Sequence, residues 1–181
     1  FNYFLKSITR LKSSKVLLTF DDGPHPEYTP LILDTLLKHK VKAIFFVVGK
    51  RLKNHPEIAK RIIKEGHLIG NHSQEHNPMI STFSRKRLMK EINDAQNTIL
   101  ESTLFKTSIF RPPIGYTNPN YSAVLGELNI KCIGWTLRSY DSIYKTPHKL
   151  VKRLISKTKP GNIVLLHDNL SVTCCSLENY I

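Results

Sequence analysis

The tightest constraint on this chain is an alternation repeated along most of its length. Short, largely apolar runs take turns with longer segments whose apolar residues recur every three or four positions. The runs are VLLTF (Val16 to Phe20), AIFFVV (Ala43 to Val48), HLIGN (His67 to Asn71), SIF (Ser108 to Phe110), KCIGW (Lys131 to Trp135) and IVLLH (Ile163 to His167). Strands that are apolar on both faces must be covered on both faces, as in parallel sheets. The segments between them carry helix punctuation. Thr29 and Pro30 precede LILDTLLKHK, with Thr29 expected as N-cap, and Pro56 opens EIAKRIIKEG before Gly66. Ser84 precedes a face of Leu88, Ile92, Ala95 and Ile99, and Pro119 and Pro147 open two more helices. LSVTCCSLENYI is a candidate last helix. The pattern implies an α/β fold with parallel strands and outer helices. Six such steps fit a doubly wound open sheet or an incomplete barrel.

At 181 residues the chain is expected to form one domain with a sizeable core. No run approaches the roughly 18 apolar residues of a membrane helix, and no secretory signal peptide is visible. The chain opens at Phe1, and FNYFLKSITRLK reads as the stub of a linker or anchor. Residues 1–14 are therefore set apart from a domain over 15–181. The 27 Lys and Arg against 14 Asp and Glu give a net charge of +13, a field that attracts polyanions. These basic residues are spread over helical segments without a nucleic-acid motif, so nucleic acid is not an expected partner. An anionic cell-wall polymer fits better. Cys132, Cys174 and Cys175 are too few for a disulfide framework, and Cys132 reads as core.

Polar residues collect where the apolar runs end. Asp21 and Asp22 follow the first run, His72 follows the third with His76 four residues on, and Arg111 follows the fourth. Trp135 closes the fifth, Asp141 lies in the loop beyond, and His167 closes the sixth. In parallel α/β folds all these strand ends open on one face, where ligands bind. Adjacent carboxylates repel unless a positive charge joins them. Two histidines four apart supply metal nitrogens, and with one carboxylate they make a three-ligand set that leaves positions open for water and substrate. Zn²⁺ fits these donors, with Fe²⁺, Co²⁺, Ni²⁺ and Mn²⁺ open. One carboxylate of the pair then stays free.

The stretches TFDDGPH, HSQEH, RPPIG, WTLRSYD and LLH stand in the order and spacing of the NodB-homology polysaccharide deacetylases, carbohydrate esterase family 4. The resemblance spans roughly Lys15 to Asp168. It implies a distorted, incomplete (β/α) barrel and metal-dependent hydrolysis of acetamido groups on sugars. It also implies Asp22, His72 and His76 as metal ligands, Asp21 as general base and His167 as general acid. Arg111 matches the arginine that holds the base, and Asp141 the acid that orients the catalytic histidine. Leu165 matches the lining of the acetyl-methyl pocket, and the backbone near Pro113 and Ile114 the oxyanion site. Trp135 and Tyr116 are candidate groove residues. The expected partner is an N-acetylated glycan such as peptidoglycan or a chitin-like polymer. Removal of O-acetyl groups, as from xylan, and a degenerate glycan-binding module are the alternatives. The resemblance implies the cell envelope or a secreted location, and leaves oligomeric state open.

The reaction asks for the same residue types. Amide hydrolysis at neutral pH needs an activated water, which a bound Zn²⁺ provides by lowering its pKa to about 7. A base must take the water's proton, and an acid must protonate the departing amine. A carboxylate beside His167, such as Asp141, raises its pKa for that task. The chain departs from the family where Arg138 replaces a usual acid, Ser142 a usual tryptophan and Ile114 a usual tyrosine, and where Asn77 separates His76 from Pro78. These departures bear on the polymer recognised and leave the reaction class intact.

Overall fold

The computed structural model describes residues 5–181. Among them, eight parallel strands form one sheet: β1 (Ser7–Ile8), β2 (Leu17–Asp21), β3 (Ala43–Val47), β4 (Leu68–Asn71), β5 (Ile109–Phe110), β6 (Lys131–Ile133), β7 (Leu137–Arg138) and β8 (Ile163–His167). The spatial order is β1-β6-β5-β4-β3-β2-β8-β7. The sheet curls into an incomplete barrel whose free edges are β1 and β7. Around it run α1 (Tyr28–Lys38), α2 (Gly49–Asn54), α3 (Pro56–Lys64), α4 (Arg85–Thr103), α5 (Pro119–Glu127), α6 (Pro147–Lys157) and α7 (Ser171–Tyr180).

The period of two along each strand divides the residues between two cores. Phe20, Phe45, Val47, Val164 and Leu166 pack outward with Ile32, Leu33 and Leu36 of α1. Phe20 and Phe45 stack at 5.1 Å between ring centroids. Ile44, Phe46, Ile133 and Ile163 form a second, inner cluster. Thr19 and Asp21 of β2 alternate with the outward Phe20, and Leu165 and His167 of β8 with the outward Leu166. The ends of β2 and β8 thus deliver Asp21 and His167 to the barrel's interior side.

The structure differs from the sequence expectations at several places. Residues 1–4 of the expected linker lie outside the described residues. Further along that segment, Ser7 and Ile8 pair with Cys132 and Ile133 as an edge strand, and Arg10 bridges to Asn162. The expected strand over KCIGW stops at Ile133. The Ile133 and Gly134 carbonyls accept hydrogen bonds from the Arg111 side chain instead of extending the ladder. The short β7 and α2 were not expected, because neither carries an apolar run.

Thr29 does not cap α1, which begins two residues earlier, at Tyr28, with Glu27 at the N-cap. The ring Nδ1 of His25 accepts from the Glu27 and Tyr28 amides, each at 3.2 Å, and does the capping. Burial, with Arg51 and His55 nearby, holds His25 below the usual histidine pKa and so favours this acceptor form. The Thr29 hydroxyl donates at 2.6 Å to Asp168.

Candidate active site

The first question is how two consecutive residues at the end of β2 both reach one cleft. In a regular strand their side chains would point to opposite faces. Asp22 adopts φ 78, a left-handed conformation that turns the chain at that point. Such a conformation costs on the order of 1–3 kcal/mol for a residue other than glycine. Lys40, Leu104 and Asn129 share it at or just after helix C-termini, an ordinary place for it. Asp22, His76 and Ile114 share it on the cleft wall. Two of these three strained positions, Asp22 and His76, place members of the three-ligand group.

Asp22 Oδ1 lies 3.0 Å from His76 Nε2 and 3.5 Å from His72 Nε2. The three ligand atoms all lie within 4.8 Å of one another, the one such group among the described residues. The His72 ring is pinned from behind by its Nδ1, which donates at 2.7 Å to the Arg111 carbonyl. That bond fixes the ring with Nε2 aimed at Asp22, the orientation a metal ligand requires. The His76 amide donates to Ser73 Oγ at 3.0 Å, which folds HSQEH into a turn and brings the rings to 5.0 Å. Burial works against the Asp22 charge. The hydrogen bonds and charges of His72 and His76 outweigh it and hold Asp22 well below the usual carboxylate range. Asn169 donates to Asp22 Oδ2 at 3.3 Å, and Arg51 donates to the Asp22 carbonyl. Two imidazoles and a carboxylate are a donor set that fits a divalent cation.

Asp21 stands apart from this triad. Its Oδ1 accepts from Arg111 Nη1 at 2.7 Å, while Oδ2 lies 3.8 Å from His72 Nε2. Arg111 is fully buried and crosses the barrel. Its remaining donors reach Thr19 Oγ1 at 2.7 Å and the Ile133 and Gly134 carbonyls at 3.1 and 2.8 Å. Phe46 lies under the guanidinium at 4.1 Å. A buried guanidinium with every side satisfied is a rigid support for one carboxylate oxygen.

Beside Asp21, His167 is its register partner on the neighbouring strand. Its Nδ1 lies 2.8 Å from Asp141 Oδ1, and its amide donates to Asp141 Oδ2 at 2.7 Å. Thr173 of α7 donates to the same Oδ2 at 2.8 Å. Burial lowers the His167 pKa, but the Asp141 bond and charge, helped by Asp21 and Asp22, prevail and push it up to about 9. Burial raises Asp141, and the His167 contacts reverse that and hold it low. The cleft between these groups has a volume of about 190 Å³, and Ile114, Trp135, Arg138 and Leu165 complete its wall.

The match to known proteins covers this whole arrangement. The polysaccharide deacetylase family model matches residues 9–133. The chain belongs to the polysaccharide deacetylase family. It is 34% identical over 172 residues to the peptidoglycan-N-acetylglucosamine deacetylase PgdA of Listeria monocytogenes, covering 94% of this chain and 36% of that protein. It is 35% identical over 153 residues to the peptidoglycan-N-acetylmuramic acid deacetylase PdaC of Bacillus subtilis, covering 84% of this chain and 32% of the relative. The chain thus spans about a third of the length of these relatives. A crystal structure of a family 4 pseudoenzyme from Bacillus anthracis superposes with a TM-score of 0.90 at 31% identity, covering 97% of this chain and 62% of that one. This deacetylase fold is therefore compatible with loss of activity, and any chemistry depends on the side chains in the cleft.

Within this family member, the residues singled out in the sequence sort into three groups. Asp21, Asp22, His72, His76, Ile114, Trp135, Leu165 and His167 line one cleft. Arg111 and Asp141 stand behind it, each bonded to a lining residue. Pro113 and Tyr116 are not among the lining residues: Pro113 is buried in a turn, Tyr116 is 69% exposed, and Pro112 and Gly115 line the cleft in their place. Sequence reasoning missed Thr173 and Asn169, which come from beyond the last strand and carry no recognisable spacing. It also missed Asp168, whose carboxyl is fully buried. A Cβ at Gly23 would meet its Oδ2 at 2.0 Å, so the glycine in DDGP makes room for it. Burial, then the nearby Asp22 and Asp21 charges, push Asp168 up to about 7 against the Thr29 bond.

Proposed function

We propose that this chain is a metal-dependent N-deacetylase that releases acetate from an N-acetylglucosamine-containing glycan, peptidoglycan or a chitin-like polymer. The observation that carries this reading is the division of the adjacent carboxylates. Asp22 joins two histidines, while Asp21 is held off the triad by a buried arginine and stands beside His167 of the neighbouring strand. Relatives named for peptidoglycan N-acetylglucosamine and N-acetylmuramic acid support the substrate class. Such a substrate puts the reaction at the cell envelope.

In this reading Asp22, His72 and His76 hold the cation. Zn²⁺ fits two imidazole nitrogens and a carboxylate oxygen, and Co²⁺, Ni²⁺ and Mn²⁺ accept the same donors. When bound, the cation supplies Lewis acidity at the acetyl carbonyl and acidifies the attacking water. Asp21 takes the water's proton at Oδ2, because Oδ1 is occupied by Arg111. The water oxygen bonds to the acetyl carbon, and the carbon–nitrogen bond breaks. His167 gives its Nε2 proton to the departing sugar amine, with Asp141 bracing Nδ1. Acetate and a free amine result. Leu165 and Trp135 supply apolar wall for the acetyl methyl and the sugar face.

The test is acetate release from N-acetylglucosamine oligomers by protein stripped of metal and reloaded with Zn²⁺ or Co²⁺. Acetate that appears only on reloading is the expected result. A folded, loaded protein that releases acetate from acetylated xylan but not from the amide oligomers overturns the amide assignment. No acetate from either overturns the enzymatic reading.

A further inference from the structure

A second cleft adjoins the first. It is larger, about 470 Å³, and lies along the free edge of the sheet at β7. Trp135 and Arg138 line both clefts, so the two share a wall. Five cations face the second cleft: Arg10, Arg138, Arg153, Lys157 and Lys159. No acidic residue lines it.

Some basic residues elsewhere on the surface find carboxylate partners. Lys38, Lys50, Arg61, Arg85 and Lys90 each meet a carboxylate within 3.2 Å. Among the described residues, none of the five cations of the cleft has such a pair. Like charges gathered without a counter-charge repel one another and are favourable only when an anion joins them.

Part of this group is built in advance of any ligand. Arg153 donates through Nε to the Ser139 carbonyl and through Nη2 to the Arg138 carbonyl, each at 3.1 Å. The Arg138 and Arg153 guanidiniums lie 5.1 and 4.6 Å from the centre of the Tyr140 ring. A guanidinium fixed in this way loses little freedom when it receives an oxyanion, and its planar fork fits a carboxylate. The cleft shares Trp135 and Arg138 with the reaction cleft, so a charged substituent of a glycan bound there lies within its reach.

We propose that this basic cleft is a subsite for a carboxylate-bearing substituent of the glycan, located beside the sugar whose acetamide enters the reaction cleft. The inference rests on the deacetylase reading for its choice of polymer. The position of Arg138, where the family commonly has an acid, then becomes a specificity feature: an acid there would repel what this chain attracts. Neutral chitin-like chains use the reaction cleft alone. Acidic glycans gain the second cleft as well.

Two measurements test this. The first is the dissociation constant, by calorimetry, of a neutral N-acetylglucosamine oligomer and of a length-matched oligomer carrying carboxymethyl ethers. The second is kcat/KM for acetate release from the same pair. The acidic oligomer is expected to bind about tenfold more tightly at low salt, with the gap narrowing as salt screens it. In Lys157→Gln/Lys159→Gln, and separately in Arg138→Gln, that preference falls severalfold. In Lys60→Gln/Lys64→Gln, which removes the same two charges from the exposed side of α3, the preference stays. Equal affinity for the two oligomers overturns the proposal. An equal loss in the α3 variant also overturns it, because the net charge would then suffice. The binding measurement decides even if no acetate is released, so failure of the deacetylase reading is seen separately. A phosphorylated oligomer that binds more tightly than the carboxylated one overturns the choice of carboxylate.

Discussion

Asp21 and His167 stand side by side in register on β2 and β8, and each is backed by a buried opposite charge. The two backings are built differently. Arg111 reaches from the end of β5 to β2 and to the chain leaving β6, and its carbonyl also holds His72. Asp141 is gripped locally, by the amide and ring of His167 and by Thr173. The Asp21 side of the cleft is thus part of the barrel's framework, whereas the His167 side is a local clamp. Removing the first should damage fold and site together. Removing the second should change the chemistry and leave the fold.

Arg111→Met breaks this symmetry hardest. It leaves Asp21 buried without its partner, a change that costs about 3–5 kcal/mol. For a chain of this size that is a drop in Tm on the order of 10 °C, read by calorimetry, with deacetylation lost alongside. Asp141→Asn is milder. It keeps a side chain of the same shape and removes the charge that raises His167, so Tm should move less than in Arg111→Met. Its kcat/KM should fall about 10²-fold or more, as for an impaired general acid. The basic limb of its pH profile should also move to lower pH, because burial then acts on His167 with less opposition.

The smallest effect concerns pH and stability in metal-stripped protein. The folded pKa of His167, about 9, lies above its ordinary value of 6.5. The stability this contributes is fully present below pH 6.5 and is lost as pH rises through about 9, on the order of 3 kcal/mol in all. Thermal melts between these limits should show the decline in the wild type and a flatter course in His167→Gln. A decline of equal size in the variant would assign the effect to another group.

Much of this arrangement was legible in the sequence because its supports are periodic. The apolar runs mark β2, β3, β4 and β8, and the polar residues after them fall at the strand ends where the barrel opens. The family motifs then assign order to residues as distant as Asp21 and His167. What was not legible depends on contacts without a pattern. β1 and β7 are two residues each and owe their place to pairing with Cys132, Ile133, Val164 and Leu165. Trp135 leaves its strand because Arg111 claims the carbonyls before it. His25 caps a helix with a ring nitrogen, a role usually given to Ser, Thr, Asp or Asn. The basic cleft gathers Arg10, Arg138 and Lys159 from three separate segments, each of which reads as an ordinary solvated charge.

If the adjacent carboxylates do different work, Asp21→Asn and Asp22→Asn fail in different ways. Each purified variant is assayed for bound Zn²⁺ by elemental analysis and for acetate release from N-acetylglucosamine oligomers. Asp21→Asn should keep its metal and lose activity by about 10²-fold or more, while Asp22→Asn should lose both. Loss of metal from Asp21→Asn, or full activity in that variant, would contradict this division of work.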